Sequence, residues 1–595
     1  MAWAIYLIPG DIHEIDASPR ADWLFGRCRT GWLPYAGTAA HALALAPALP
    51  SGAAQVIYLG GDIVTLNDAQ PSAQALAIRD GKILAVGPQA EIEQNHQAAH
   101  TQVVNLGGKT LMPSFIDAHS HYINALSVAH QAKLYAPPAG PGQDVPSIIA
   151  ALQRFALERK IAPGEMIMGY GYDDTVMPQG RLLNRDDLDR AFPNHPVRVD
   201  HVSMHGTVLN TLAQKFYGIG ADTQTPDGGI IVRKPGTNEP YGLIMETAFL
   251  PIFEKAAPLT PQQEIEGTKA AHQMYAQAGI TTAQEGATHL SALQTIYRAA
   301  AAGANSIDVV AYPFITDLQN TLTQFPVASW GQYQQRVKIG GVKITIDGSP
   351  QGRTAAFTTP YLTGGPGGEK DWKGQLIASQ AVINQALKQV YDLNVPVLFH
   401  VNGDAAIDSL LAAHEFAAAP DLGKPRNVTA IHAQFARKDQ IGQFVQYNIR
   451  PSFYTLHTYY FAQAHINNRG KAQAMYISPM RDAIDAGLRP TNHTDAVVAP
   501  LDQMFMLWSA VNRISRDGVP IGPDQRITAL EGLKAMTLWA AEQHGEQATK
   551  GSLEPGKLAD LVILDNNPLT VDPMAIKDIR VIQTLKEGQI IYQAP

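Results

Sequence analysis

The segment 111–126, LMPSFIDAHSHYINAL, constrains the fold more than any other part of the chain. Its apolar start, residues 111–116, is typical of a short buried strand, and Asp117, His119 and His121 follow it. Residues two apart in a strand project to the same face, so the imidazoles of His119 and His121 can converge on one metal ion. Because a His-x-His pair also occurs by chance in ordinary loops, its interpretation depends on the rest of the chain.

Seven further apolar runs, separated by helical sequence, follow this first strand. They occupy residues 279–284, 307–312, 342–346, 395–400, 428–432, 449–454 and 488–495. Eight strands alternating with helices predict an α/β fold, a (β/α)8 TIM barrel over residues 111–550, with active-site groups at the strand carboxyl ends. The long interval after the first strand predicts a large inserted subdomain at about residues 136–261 that covers the site. A capping-box pattern at Thr528 and Glu531 predicts the start of the helix after the eighth strand.

The two ends of the chain carry a different pattern. Short β-branched runs separated by Gly-Gly and Asp-Gly turns occupy residues 56–110 and 551–595, and we expect them to pair into one small β-sandwich domain. Residues 1–55 fit neither pattern, although residues 36–55 resemble the core and cleavage region of an export signal. A misplaced start codon, a packing extension and an Ala-rich linker remain three interpretations, so a cytoplasmic and a periplasmic or secreted location both stay open.

Composition limits the partners and the metal ligands. The formal charge of −8 includes no basic stripe, so nucleic acid is not a predicted partner. No apolar run of about 18 residues occurs, so no membrane span is predicted. The single cysteine, Cys28, excludes an internal disulfide framework and a cysteine-based zinc site. A metal would therefore need histidine and carboxylate-type ligands.

Polar side chains recur at the ends of the predicted strands. They are His119 and His121 on the first strand, Lys343 on the fourth, His400 on the fifth, His432 on the sixth and Asp495 on the eighth. This ordered set is more specific than any of its members. Each member also has an ordinary interpretation: Lys343 in an ion pair with Asp347, His400 and His432 as buried core histidines, and Asp495 as a cap or turn residue.

Several motifs together resemble a known family. The segment 113–121, the ordered histidine and aspartate series, and GSLEPGKLADLVILD at residues 551–565 resemble the metal-dependent amidohydrolase superfamily. GYGYDD, HGTVLN, YGLIMETA, GITTAQEGAT and GVKITIDGS resemble its amidohydrolase 3 branch, the YtcJ-like group that includes N-substituted formamide deformylase. The similarity covers about residues 56–593.

The resemblance implies two divalent ions, commonly Zn²⁺, at the strand ends. By that implication His119 and His121 hold the first ion, His400 and His432 hold the second, a CO₂-derived carbamate on Lys343 bridges them, and Asp495 lies beside them. Metal binding lowers the pKa of bound water to about 7 and so supplies hydroxide. Asp495 can take a proton during attack on a carbonyl carbon and pass it to the departing nitrogen.

Other polar residues are candidates for substrate contact or support. The candidates for substrate contact are His205, Asn210, Arg353, His457 and His493. For His205 and Asn210 a structural loop pair is the alternative, and His493 could relay a proton or only pack. Arg353 could bind a substrate carboxylate through its planar fork. We expect Asp117 to orient a ligand imidazole or a strand end.

The leading hypothesis is a metal-dependent hydrolase that cleaves a small N-acyl, N-formyl or cyclic amide. A mononuclear zinc deaminase of the same superfamily is the first alternative, but LFHVNGD and IHAQFARK lack the glutamate that such deaminases usually carry. A non-catalytic assembly protein is the second, although such relatives typically lose ligands. The sequence leaves the substrate and the oligomeric state open, including a homo-oligomer.

Overall fold

The computed structural model describes residues 52–178, 181–202, 206–226, 229–246, 248–249, 251–252, 260–365 and 369–595. Residues 1–51 of the predicted extension and the candidate His205 lie outside the described residues. The described chain has an α/β fold with four sheets, whose strands are numbered here along the chain.

Both ends of the described chain contribute to one eight-stranded sheet. Its spatial order is β23 (Gln589–Gln593), β22 (Val581–Lys586), β21 (Leu561–Leu564), β5 (Thr110–Pro113), β1 (Val56–Val64), β2 (Ser72–Arg79) and β3 (Lys82–Gly87), with β4 (Gln102–Asn105) against β1. The two ends meet where β21 runs antiparallel to β5. Asp80 and Gly81 both have positive φ, so this Asp-Gly pair forms the tight turn between β2 and β3 that the sequence indicates.

Two parallel sheets contain the strands that follow. The first has the order β15 (Val337–Ile339), β14 (Asp308–Pro313), β13 (Ile280–Thr288) and β6 (Phe115–Ile116). The second has the order β16 (Val342–Thr345), β17 (Val397–Val401), β18 (Val428–His432), β19 (Ile449–Phe453) and β20 (Thr491–Asn492).

Contacts join these two sheets at both ends. Phe314, just after β14, forms an isolated parallel bridge with Lys343 of β16. At the other end, the backbone N–H of Asp495, beyond β20, donates to the carbonyl of His119, beyond β6, at 3.3 Å. Lys343 in β16 and the polar residues that follow β6 and β20 are thereby brought together.

The first predicted strand is divided between two sheets. Residues 111 and 112 belong to β5, which pairs with β1 and β21, whereas β6 pairs with β13. Pro113 has no N–H to continue the first ladder, and the N–H of Phe115 then donates to the carbonyl of Gly279 at 2.9 Å. The hydrophobic pattern predicts one continuous strand at residues 111–116 because residues 111–113 of β5 and both residues of β6 are buried and apolar.

A fourth sheet lies between β6 and β13 in the sequence, where the insertion is predicted. Its spatial order is β11 (Gly229–Arg233), β12 (Pro240–Glu246), β10 (Gly206–Leu209), β9 (Val197–His201), β8 (Ile167–Tyr172) and β7 (Ala132–Lys133). The strand β8 runs parallel to both β7 and β9, and the remaining pairs are antiparallel.

Helices pack against the sheets. The described helices are Gln89–His96, Tyr122–Val128, Val145–Arg159, Arg185–Ala191, Thr211–Tyr217, Pro261–Gln277, Leu290–Ala301, Leu318–Gln324, Gln380–Asp392, Asp404–Ala418, Lys438–Tyr447, His457–Tyr460, Ala462–Arg469, Lys471–Ala474, Met480–Asp485, Gln503–Asn512, Ala529–Ala535 and Leu538–Gln543. In Gln380–Asp392 the buried residues Ile383, Leu387 and Val390 recur at helical spacing and belong to the same apolar core as β16–β19.

Helix starts follow local sequence signals. The predicted capping box is present, since Thr528 accepts from the N–H of Glu531 at 3.2 Å and Glu531 accepts from the N–H of Thr528 at 2.8 Å. Among the described helices, none combines the length and the apolar character needed to cross a bilayer.

Candidate metal centre

Five predicted ligands come together, one within β16 and four at or just after the ends of β6, β18 and β20. Asp495 Oδ1 lies 3.7 Å from His119 Nε2 and 3.3 Å from His121 Nε2. Lys343 Nζ lies 3.4 Å from His119 Nε2. Ligand atoms of His119, His432 and Asp495 all lie within 4.8 Å of one another, the only such group of three in the described part of the chain. Residues more than three hundred positions apart thus converge on one point.

His400 completes the group on the side of β17. Its ring centroid lies 4.7 Å from that of His432, and its Nε2 lies 3.3 Å from the amide nitrogen of Asn402. Its Nδ1 is buried without a hydrogen bond, and the nearby oxygen of Asp347 is 3.4 Å away. A buried nitrogen that lacks a hydrogen bond needs an explanation, and a metal ligand provides one.

Gln284 fixes the orientation of His119. The Nδ1–H of His119 donates to the Gln284 side-chain carbonyl at 2.7 Å, while the Gln284 amide donates to the carbonyl of Ala118 at 2.6 Å. Because Nδ1 carries the proton, the lone pair of His119 Nε2 faces Lys343 and Asp495. Asp117 accepts hydrogen bonds from the Ser120 hydroxyl and, at 3.1 Å, from the Gln284 N–H, so it holds the strand end rather than an imidazole.

The electrostatics keep two of the histidines neutral. Burial lowers the pKa of His119 and of His432 well below the usual value; Lys343 and nearby histidines lower that of His119 further, and nearby histidines lower that of His432 further. Burial also acts to lower the pKa of His121, but the hydrogen bond and charge of Asp495 outweigh it and raise that pKa. Burial raises the pKa of Asp495, yet its hydrogen bond with His121 brings the pKa below the usual value. Neutral imidazoles and an ionised carboxylate are the states that metal binding requires.

Lys343 is buried without an anionic partner. Within the described residues no carboxylate lies at ion-pairing distance from its Nζ, and burial lowers the pKa of the amine to about 7. The alternative pair with Asp347 is not formed, because Asp347 accepts instead from the N–H groups of Ala356, Asn402 and Gly403 at 3.0, 2.9 and 2.9 Å.

The residues present fit a zinc ion. Imidazole and carboxylate are its usual protein ligands, and the buried Nδ1 of His400 has no hydrogen bond, while Oδ1 of Asp495 contacts only imidazole nitrogens of the same site. Nδ1 of His432 is hydrogen-bonded to Nε2 of His493 at 3.2 Å, which leaves Nε2 of His432 as its available ligand atom.

The candidate substrate residues occupy different places. His493 lies between His432 and the Ser452 hydroxyl, 2.9 Å from its Nδ1, so both of its nitrogens are engaged in supporting contacts. The ring centroid of His457 lies 6.3 Å from that of His432, and its buried Nδ1 has no hydrogen bond. Arg353 is half-buried, and its carbonyl accepts from the Trp372 indole N–H at 2.6 Å.

Asn210 has the structural role that the sequence left open. Its buried side chain accepts from the N–H of Val197 at 2.8 Å and of Ala213 at 2.9 Å, and it donates to the carbonyl of His195 at 2.8 Å. These contacts tie the helix Thr211–Tyr217 to β9, which indicates support of the fourth sheet rather than contact with substrate.

Sequence reasoning missed two residues of this site, Gln284 and Glu285. Glu285 is fully buried, accepts from the N–H of Ile123 at 2.6 Å, and forms an isolated bridge with His121. Burial raises its pKa, and the charge of His121 opposes that rise. The available signal was a Gln-Glu pair at the carboxyl end of the second barrel-like strand, where polar residues are unexpected unless they serve a site.

Known proteins resemble almost the whole chain. The profile of the amidohydrolase family (Amidohydro_3) matches residues 102–592. YtcJ of Bacillus subtilis (strain 168), named for the amidohydrolase class, is 26% identical over 553 residues, covering 91% of this chain and 99% of its own. The N-substituted formamide deformylase of Arthrobacter pascens is 25% identical over 553 residues, covering 90% of this chain and 98% of its own.

A solved structure has the same overall fold. A metal-dependent hydrolase from Pyrococcus horikoshii OT3 superposes with a TM-score of 0.67 at 22% identity, covering 90% of this chain and all of its own. At this identity the likeness concerns the fold alone.

Proposed function

The chain belongs to the amidohydrolase family and is therefore a hydrolase of carbon–nitrogen bonds, and from this premise we propose that it cleaves a small N-acyl, N-formyl or cyclic amide with bound zinc. The observation that carries the proposal is the convergence of His119, His432 and Asp495 within 4.8 Å, beside the buried amine of Lys343. The relatives point the same way, since one of them is an N-substituted formamide deformylase.

The proposal includes a closed barrel. We infer that β6 and β13–β20 form one (β/α)8 unit, in which β15 and β16 are two halves of the fourth strand. The bridge between Phe314 and Lys343 and the hydrogen bond from Asp495 to His119 support closure at both seams. The site then lies at the carboxyl ends of the strands, where (β/α)8 enzymes carry out their chemistry.

The proposal also includes a carbamate on Lys343 and two ions. A pKa of about 7 leaves much of the Lys343 amine neutral and nucleophilic at neutral pH. Its nitrogen can attack the carbon of CO₂ and release one proton, which yields an anionic carbamate with two ligand oxygens. His119 and His121 would hold one ion, His400 and His432 the other, and the carbamate would lie between them.

The side chains divide the remaining work. Bound zinc supplies Lewis acidity, which polarises a carbonyl and lowers the pKa of water. Asp495 accepts a proton from the attacking water and delivers it to the departing nitrogen. Gln284 keeps His119 in the tautomer that presents Nε2 to the site.

The test is turnover of a panel of N-formyl, N-acyl and cyclic amides by protein purified without added zinc, with the metal content measured. We expect amine release or ring opening that a chelator abolishes and zinc restores. His119→Ala should lose it, whereas His100→Ala, at an exposed position, should retain it. No turnover by the zinc-loaded protein across the panel would contradict the proposal.

The number of zinc ions per chain distinguishes the proposed two-ion hydrolase from a second candidate function, a mononuclear deaminase. Among the described residues only three offer ligand atoms within 4.8 Å of one another. A group of three ligands favours one bound ion over two bridged ions. One zinc per chain, together with ammonia release from an exocyclic amine, would support the mononuclear deaminase instead.

A further inference from the structure

The turn that carries Asp495 is held by the backbone of two segments. Asp495 has a positive φ of 54°, a conformation that persists only when the surroundings impose it. The N–H of Val498 donates to the carbonyl of Asp495 at 2.7 Å, and the N–H of His121 donates to the carbonyl of Ala496 at 2.6 Å. Neither of these two hydrogen bonds involves the carbonyl of Val497, the next residue of the turn.

Two phenols from the inserted sheet hold that carbonyl. The hydroxyl of Tyr135, just after β7, donates to the carbonyl of Val497 at 2.9 Å, and the hydroxyl of Tyr170 in β8 lies 3.1 Å from the same oxygen. Both side chains are buried, and their rings meet edge to face with centroids 5.6 Å apart. The contacts join residues 362 and 327 positions apart, so they connect the insertion directly to the loop of Asp495.

The two hydroxyls are not equivalent. Tyr170 also lies 2.9 Å from the carbonyl of Val202, and its single proton can serve only one of the two acceptors at a time. Tyr135 has Val497 as its acceptor. If Tyr135 lost its hydroxyl, Tyr170 could turn its proton to Val497, so each phenol can partly replace the other.

We propose that Tyr135 and Tyr170 are positioning residues that fix the Asp495 turn, and that the insertion thereby forms part of the catalytic apparatus. The inference rests on the proposed function, in which Asp495 moves the proton and contributes to the metal site. Neither phenol is proposed to touch the substrate. Their effect passes through one carbonyl oxygen, two residues after the carboxylate.

The experiment compares phenylalanine variants that keep the rings and remove only the hydroxyls. Tyr135→Phe and Tyr170→Phe should each lower kcat slightly, whereas the double variant should lower kcat about tenfold or more at unchanged KM, because small misplacement of a catalytic group is costly. Adding both changes to Asp495→Asn should lower its residual kcat no further. The substrate is the best amide of the panel described above.

The control is Tyr172→Phe in the same strand. Tyr172 is equally buried, and its hydroxyl accepts from the N–H of Leu183 at 3.1 Å, within the insertion and away from Asp495. It should lose thermal stability comparable to that of either single variant and keep kcat within about twofold, since no group of the site moves.

A second readout keeps the inference independent of the substrate. Zinc affinity, measured by competition with a chromogenic chelator, should fall about tenfold in the double variant and stay unchanged in Tyr172→Phe, as expected for groups that support a ligand. If no amide is turned over, the proposed function fails while this measurement still tests the positioning role. Wild-type kcat in the double variant, or wild-type zinc affinity where no amide is turned over, would overturn the inference. Equal losses in Tyr172→Phe would overturn it as well.

Discussion

Asp495 has two proposed roles, in metal binding and in proton transfer. Its Oδ1 lies near both His119 and His121, and its carboxylate is ionised in the folded protein. We predict that Asp495→Asn retains zinc through the remaining imidazoles, although with lower affinity, and loses turnover by about 10²- to 10⁴-fold, because an amide cannot accept the proton. Metal content and kcat measured on the same preparation check this. Turnover near that of the wild type would remove Asp495 from the mechanism.

The proposed carbamate on the nitrogen of Lys343 can be detected directly. We predict that protein incubated with ¹³C-labelled CO₂ and zinc shows a carbamate carbon resonance that is absent in Lys343→Ala, since burial lowers the pKa of the Lys343 amine to about 7 and leaves a substantial fraction of it neutral near pH 7. The variant should also bind one fewer zinc ion per chain. Lys388→Ala, at an exposed helical position, is the control and should keep the resonance. Two ions in Lys343→Ala would contradict the bridging role.

At the residue scale, the sequence indicates candidate site residues only where the signal is local. His119, His121, Lys343 and Asp495 stand out because each polar side chain ends or interrupts an apolar run. The structure brings them together, whereas the binding of metal by them stays a proposal. Gln284 was not assigned, because its value lies in a contact with a histidine 165 positions away. Such a contact depends on which strands are neighbours, and no local pattern contains that information.

At the scale of elements, the fourth barrel-like strand depends on a glycine pair. Gly340 and Gly341 separate β15 from β16, and a Cβ on Gly341 would lie 2.2 Å from the carbonyl oxygen of Pro396. We predict that Gly341→Ala lowers the free energy of unfolding by about 1–3 kcal/mol, because backbone must move to accept the methyl group. Urea denaturation measures this.

The matched control for that change is Gly442→Ala. Gly442 lies exposed inside the helix Lys438–Tyr447 with open space around its Cβ position. Alanine there should stabilise the protein by up to about 1 kcal/mol, since it favours helix. If Gly341→Ala were as well tolerated as Gly442→Ala, the close approach to Pro396 would not constrain this strand.

The boundaries of strands are the feature that the hydrophobic pattern predicts least well in this chain. The sequence predicts a single strand at residues 342–346 and does not indicate β15 just before it, because the pair of glycines resembles a turn. In the structure these glycines lie between β15, which pairs with β14, and β16, which pairs with β17. The eighth predicted strand shortens to Thr491–Asn492, since Pro490 precedes it and Asp495 takes a left-handed conformation soon after.

At the scale of the whole molecule, buried charges connect the terminal sheet to the parallel sheets. Asp308 of β14 accepts from Lys586 of β22 at 2.6 Å and from Lys550 at 2.7 Å. Nearby, Lys338 and Lys550 both pair with Glu546. The pairing of the two chain ends was expected from their turn-rich texture, but this buried network was not, because lysine and aspartate ordinarily indicate surface.

This network predicts the response of the protein to acid. Burial raises the pKa of Glu546, yet Lys550 and Lys338 outweigh it and bring the pKa to about 2, and Lys550 and Lys586 likewise hold the pKa of Asp308 below its usual value. A carboxylate with a lowered folded-state pKa stabilises the protein above its unfolded pKa, and this stabilisation is lost as the pH falls towards the folded value. The free energy of unfolding should therefore fall between about pH 4.5 and pH 2, where protons bind the unfolded chain more tightly.

The substitution Lys586→Met tests whether these buried ion pairs cause the pH dependence of the free energy of unfolding. It removes one of the two lysines on Asp308 without restoring solvent, so the free energy of unfolding at pH 7 should fall by about 3–5 kcal/mol, the usual result of breaking a buried pair. The pKa of Asp308 should rise, so acid unfolding should begin at a higher pH. Lys388→Met removes an exposed helical pair with Asp392 and should cost no more than about 0.5 kcal/mol. Unfolding followed by circular dichroism from pH 7 to pH 2 compares the variants. Equal acid midpoints would show that the buried charges do not join the two parts of the molecule, and that apolar packing alone holds the terminal sheet in place.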